Sequence, residues 1–209
     1  MSTTLEELSE FLQKGRVKNV KELVQKALDE GISPNVILEE GLLSGMSVVG
    51  EKFKKNEVFV PEVLIAARAM NAGTTMLKPY LIQEGVKSKG TVVIGTVKGD
   101  LHDIGKNIVK MMMEGKGLNV IDLGVDVSAE QYVQAAKEND ADIIACSTLL
   151  TTTMGEIKNV VELVKKEGIR AKVMIGGAPV TQDFCDSVHA DSYTPDAATA
   201  SEVAVGFCS

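Results

Sequence analysis

TVVIGTVKGDLHDIGKN, residues 91–107, sets a continuous β-branched run, TVVIGTV (91–97), directly before a polar turn containing glycine. A short, unbroken apolar run of this kind reads as a strand buried on both faces, as in a parallel sheet. The turn leads into a helical pattern over Asp103–Lys116, and the same strand–turn–helix unit then repeats. NVIDLG (119–124) precedes a helix at 129–139, DIIACS (142–147) one at 154–167, and KVMIGG (172–177) one at 180–187. A short strand at 191–193 and a helix at 197–207 complete the series. Strands alternating with helices predict parallel βαβ units and a Rossmann-like open sheet flanked by helices.

In such sheets ligands sit beyond the carboxyl ends of the strands. Three loops therefore matter: KGDLHDIGKN (98–107), STLLTTT (147–153) and GGAPVT (176–181). The first holds His102, one of two histidines, between Asp100 and Asp103. An imidazole is a natural ligand for a borderline metal ion. A carboxylate two residues away would hold the other ring N–H and make the ligand more basic. Gly99 and Gly105 allow close backbone approach by a large ligand. The spacing excludes a P-loop, since Gly99 to Gly105 has one residue too many and Asn107 stands where Ser or Thr is needed. GTVKGD lacks the dinucleotide-binding pattern, and one histidine with scattered carboxylates does not make a zinc site. A helix-capping aspartate beside a solvated histidine accounts equally well for D-x-H alone. The hydroxyl cluster Ser147, Thr148, Thr151, Thr152 and Thr153 fits a ribose, a phosphate or the far side of a carboxylate, and it also fits plain helix capping. Gly176-Gly177 reads either as backbone pressed against a ligand or as a simple turn.

Upstream, the first 84 or so residues read as helices. Thr3 or Thr4 is placed to cap a helix over Leu5–Gln13. Val17–Glu30 carries one apolar face and ends at Gly31. Ser33-Pro34 starts a third helix running to about Lys55, and a fourth runs from Pro61 to about Glu84 with a bend near Pro79. Four helices with short connections suggest a bundle. The polar segment Gly85–Gly90 marks the boundary, giving a helical domain over 1–86 and an α/β domain over 90–209.

Composition narrows the partners. A net charge of −7 and a pI of about 5.0 speak against a nucleic-acid or anionic-membrane surface. Hydrophobic content of 44% and a mean hydropathy of +0.09 suffice for packed cores. Three cysteines without CxxC spacing, and a first helix unlike an export signal, fit a reducing cytoplasm. No apolar stretch reaches membrane-spanning length.

Taken together, GDLHDIGKNIV (99–109), Ser147-Thr148-Leu149 and Gly176-Gly177 resemble the D-x-H-x-x-G, S-x-L and Gly-Gly segments of the cobalamin-binding domain of B12-dependent methyltransferases. GLLSGMSVVGEKFKKNEVFVPEVLIAARAM (41–70) resembles the helical cap module that precedes this domain in methionine synthase and in small corrinoid proteins. The resemblance covers nearly the whole chain. It implies a B12-binding Rossmann-like domain behind a four-helix bundle cap, with cobalamin or a related corrinoid bound in the His-on form. His102 would be the lower axial ligand to cobalt, Asp100 would hydrogen-bond its imidazole, and Thr153 would extend that relay. Ser147, Thr151, Gly176 and Gly177 would line the slot for the displaced nucleotide tail. Gly99, Asp103, Ile104, Gly105 and Leu149 would also meet the cofactor as members of these motifs, and Phe59, Val63 and Leu64 of the cap would cover the methyl-bearing face.

The implied function is that of a carrier, non-catalytic by itself, in a multi-component methyltransferase of anaerobic one-carbon metabolism. It would accept a methyl group on Co(I) from a substrate-specific methyltransferase. It would pass it as methyl-Co(III) to a second methyltransferase using tetrahydrofolate or coenzyme M, with a reductive activator to restore the cobalt. Methylamines, quaternary amines, methanol and aromatic methyl ethers stand equal as donors. A catalytic barrel of about 250 residues has no room in 209 residues. The alternatives are a B12-binding sensor without methyl transfer, a corrinoid mutase subunit, and a Rossmann-type enzyme for another cofactor. The first lacks a basic recognition helix, the second usually lacks the cap, and the third lacks a phosphate motif.

Overall fold

The computed structural model describes residues 3–208. The chain separates into two compact units, Met1–Lys87 and Ser88–Ser209.

The first unit is helical: α1 (Thr3–Gln13), α2 (Val17–Asp29), α3 (Pro34–Val36), α4 (Ser44–Lys54) and α5 (Val60–Gln83). Leu5, Leu8 and Leu12 of α1, Val20, Val24 and Ala27 of α2, and Val63, Ala66, Met70 and Leu77 of α5 are buried together at three- and four-residue spacing. Thr3 and Thr4 lie inside α1 and do not precede it. Thr4 is buried and donates to the Glu30 carboxylate at 3.0 Å, which draws its hydroxyl away from capping. Ser33 caps α3 by accepting the Val36 N–H, with Pro34 at the first helical position. Between α3 and α4 the helix widens into a π stretch, Ile37–Leu43, closed by Ser44 N–H donating to Glu39 O. Periodicity reads this region as one α-helix. The π turn instead buries the three consecutive residues Gly41, Leu42 and Leu43, a wider band than one α-helical face offers. Glu62 accepts the Phe59 N–H at 3.0 Å and closes the start of α5, which continues through Pro79.

The second unit is a five-stranded parallel sheet in the order β2-β1-β3-β4-β5. Its strands are β1 (Thr91–Thr96), β2 (Asn119–Asp122), β3 (Ile143–Ser147), β4 (Lys172–Gly176) and β5 (Ser192–Tyr193). The connecting helices are α6 (Ile104–Glu114), α7 (Ala129–Glu138), α8 (Met154–Lys166), α9 (Gln182–Val188) and α10 (Ala197–Phe207). Alternate residues of the strands feed two cores. Val93, Ile144, Cys146, Val173 and Ile175 pack with Tyr132, Val160 and Val161 from α7 and α8. Val92, Ile94, Ile143, Ala145 and Met174 pack with Met113 of α6 and Ala200 and Ala204 of α10. This two-sided burial is why the strands are continuous apolar runs. Helix α9 starts two residues later than periodicity suggests, because Thr181 accepts the Phe184 N–H and acts as its cap. The chain leaves β1 for β2 on one side and reaches β3 on the other, so the order of strand addition reverses between β1 and β3. That is where an open α/β sheet forms a crevice.

Candidate functional site

The loop after β1 and the loop after β3 meet at this crevice. Asp100 has a fully buried side chain, and its two carboxylate oxygens have separate tasks. Oδ1 takes the His102 backbone N–H at 3.0 Å and lies 2.7 Å from His102 Nδ1. Oδ2 takes the N–H of Leu149 at 2.7 Å, that of Leu150 at 3.3 Å and the Thr148 hydroxyl at 3.0 Å. Burial pushes the carboxyl upward, but the N–H donors of Leu149 and His102, the imidazole and the Thr148 hydroxyl outweigh it. Asp100 is held well below the usual carboxylate range. An ionised Asp100 sets the tautomer of His102, with the proton on Nδ1, and leaves the lone pair on Nε2.

His102 itself is half exposed, at 52% of its side chain. Thr96, buried at the end of β1, donates to the His102 carbonyl at 2.8 Å, so the histidine backbone is held as well. Asp126 in the loop after β2 accepts the Gly99 N–H at 2.7 Å and gives its own N–H to the Asp100 carbonyl. The same segments carry large apolar side chains left open to solvent: Leu101 and Ile104, each 71% exposed, with Leu149 and Leu150. Exposed large aliphatic residues on two adjoining loops mark a surface built for an apolar ligand.

The glycines of the motifs differ in use. Gly99 has φ +81°, and a Cβ there would lie 3.3 Å from Thr153 Cγ2. Gly177 has φ +125°, and a Cβ there would strike the Thr148 carbonyl. Gly177 thus brings the end of β4 against the segment that holds Asp100. A Cβ on Gly105, in the first turn of α6, would meet open space.

Ser147 and Gly176 pair in register across β3 and β4, and Thr96 pairs with Ser147 across β1 and β3. The three share the sheet face of Ile94, Ala145 and Met174, so this row of small residues ends the α6–α10 side of the sheet. Thr151 is exposed in a 3₁₀ turn, and Thr153 is buried behind Thr148. Asp103 precedes α6 and accepts from Asn107 at 3.1 Å instead of approaching the imidazole. Among the cap residues, Phe59 and Leu64 are exposed, whereas Val63 is fully buried and lends no open surface. Leu150, Thr96 and Asp126 are part of the arrangement without belonging to the D-x-H, S-x-L or Gly-Gly signatures, and Thr148 stands at the variable position of S-x-L, signalled only by the hydroxyl cluster.

Among the described residues no three His, Cys, Asp or Glu side chains converge as a protein-only metal site requires. The donor set fits a metal that brings most of its own ligands: one imidazole, held at Nδ1, on segments that also carry exposed aliphatic side chains. Cys146, at the end of β3, is fully buried and its thiol is pushed up to about 12 by that burial, so it takes no part. No helix among the described residues is long and apolar enough to cross a membrane.

Comparison with known proteins agrees with this chemistry. Residues 90–202 match the B12 binding domain family, and residues 4–78 match a second family of that description. The chain is 42% identical over 205 residues to a corrinoid protein of Desulfitobacterium hafniense, covering 96% of this chain and 95% of that one. It is 47% identical over 176 residues to trimethylamine corrinoid protein 1 of Methanosarcina acetivorans, covering 82% of each. In structure it matches a chain of the methanol:cobalamin methyltransferase complex of Methanosarcina barkeri with a TM-score of 0.90 and 32% identity, over 99% of this chain and 80% of that one. The chain belongs to the B12-binding corrinoid proteins.

Proposed function

We propose that this chain carries a methyl group between two methyltransferases, on a corrinoid whose cobalt His102 would hold. The observation that carries the reading is the His102 ring. Its Nδ1 is fixed at 2.7 Å from a buried carboxylate, and its remaining nitrogen belongs to a half-exposed ring bordered by open aliphatic surface. When bound, the corrinoid supplies a cobalt centre able to take up and release a methyl group.

The residues supply orientation and shelter. Asp100 holds the proton on Nδ1 and raises the basicity of Nε2. Leu101, Ile104, Leu149 and Leu150 give a corrin ring an apolar seat. The small row Thr96, Ser147 and Gly176, with Thr151 and Gly177 nearby, leaves room for the nucleotide tail on the α6–α10 side. Gly99 and Gly105 let backbone come close, and Asp103 stands at the start of α6. Phe59 and Leu64 are open apolar side chains of the helical unit.

A methyltransferase partner is supported by relatives whose names tie them to trimethylamine and to a methanol:cobalamin methyltransferase. A substrate-specific methyltransferase loads the methyl group, and a second enzyme passes it to tetrahydrofolate or coenzyme M. A reductive activator returns the cobalt to its reactive state. The reading places the protein in the cytoplasm, in keeping with free Cys146, Cys185 and Cys208.

The test is the visible absorption spectrum of protein incubated with hydroxocobalamin and freed of excess cofactor. Wild type is expected to retain corrinoid with a histidine-ligated spectrum, and His102→Ala to lose that signature. Folded wild type that retains no corrinoid, or an unchanged spectrum in the variant, would overturn the assignment.

A further inference from the structure

Two threonines stand behind Asp100, and their distances give them different work. Thr148 Oγ1 lies 3.0 Å from Asp100 Oδ2, whereas Thr153 Oγ1 lies 3.4 Å from it and 2.6 Å from Thr148 Oγ1. A hydroxyl has one proton to give. Thr153 has two nearer acceptors than the carboxylate: Thr148 Oγ1 at 2.6 Å and the Leu150 carbonyl at 3.0 Å. For Thr148 the carboxylate at 3.0 Å is nearer than the Leu150 carbonyl at 3.3 Å, and it is charged. When Thr153 donates to Thr148 Oγ1, its nearest acceptor, the Thr148 proton is left for Asp100.

The position of Thr148 is itself constrained. Its side chain is buried, its N–H donates to Gly176 O at 3.2 Å, and Gly177 leaves out the Cβ that its carbonyl would strike. Thr148 therefore reaches Asp100 from a backbone fixed by β4. Its bond pins Oδ2, so that Oδ1 stays aligned with His102 Nδ1.

We propose that Thr148 is the positioning residue that sets Asp100, and through it the His102 ring, while Thr153 acts on Asp100 only through Thr148. The inference rests on the reading of His102 as cobalt ligand and adds a residue to it.

The experiment uses full-length protein grown with ¹⁵N-histidine, loaded with cobalamin and reduced to the Co(II) state. Nitrogen superhyperfine splitting in the electron paramagnetic resonance spectrum reports ligation by protein histidine, as distinct from the cofactor's own base. Thermal midpoints of the apo-proteins check the fold. T148V is expected to lower the histidine-ligated fraction by about threefold or more, the scale of one lost hydrogen bond. T148S should restore it, and T153V should cause a smaller loss. Should T148V fail to fold, T148A and T153V decide between them by the same comparison. A T148V or T148A signal equal to wild type, a T153V loss as large as theirs, or no rescue by T148S would overturn the proposal. Wild type without any ¹⁵N-histidine coupling would instead overturn the ligand assignment beneath it.

Discussion

Asp100 couples the stability of the site to pH. Its carboxyl is held low in the folded chain, so between that low value and the unfolded value of about 4 the unfolded chain binds the extra proton. The stabilisation is complete above about pH 4 and is lost as pH falls further, with a slope of up to about 1.4 kcal/mol per pH unit for one proton. Asp100→Asn removes this titration while keeping the side chain's shape. Its urea midpoint is expected to be lower than wild type at neutral pH, and the gap should narrow as pH falls from 5 to 3. Parallel curves would show that Asp100 contributes no such linkage. The D-x-H spacing is legible in sequence because both groups lie in one turn. The Oδ2 donors are not, since Leu149 and Leu150 join Asp100 across 49 and 50 residues.

At the scale of elements, α6 carries the loop's exit and is tied to β2 by charge. Lys106, 2% exposed, lies 2.7 Å from Asp122, whose other oxygen is 3.4 Å from Lys110. Burial pushes the Asp122 carboxyl up, but the Lys106 bond and then the Gly124 N–H outweigh it and hold it low. Lys106→Met removes the buried partner and is expected to cost about 2–3 kcal/mol, moderated by the Lys110 and Gly124 contacts that remain. Lys110→Ala should cost less than about 1 kcal/mol. Urea unfolding of both variants checks this, and equal costs would mean that the buried pair contributes nothing special. The strands of this layer were readable because double-sided burial writes them as unbroken apolar runs. The π stretch at Ile37–Leu43 was not, because one extra residue per turn leaves no mark of its own on a helical pattern. In sequence Thr4 reads as a cap candidate, because its partner Glu30 stands 26 residues on, just past the end of α2.

At the scale of the molecule, each unit has its own apolar core, and the segment between α5 and β1 contains Lys87. Trypsin under native conditions is expected to cut there first and to yield two fragments, near 1–87 and 88–209. Corrinoid loaded beforehand should travel with the second fragment on size exclusion, since every residue proposed to ligate or orient it from below lies there. Cofactor released on cleavage, or retained by the first fragment, would count against that placement. Charge and composition had limited the partners at this scale without choosing among methyl donors, because specificity resides in surfaces shaped for other proteins.

The long reach of Asp100 also orders events in time. Residues 99–107 leave the ribosome well before Thr148, Leu149 and Leu150, and until β3 settles beside β1 the carboxylate has no donors for Oδ2. Closing a loop of that length carries an entropic penalty that local helix formation does not. A nascent chain therefore passes through a stage in which Asp100 lacks its Oδ2 donors, and the arrangement proposed to bind the corrinoid is complete only when the sheet closes.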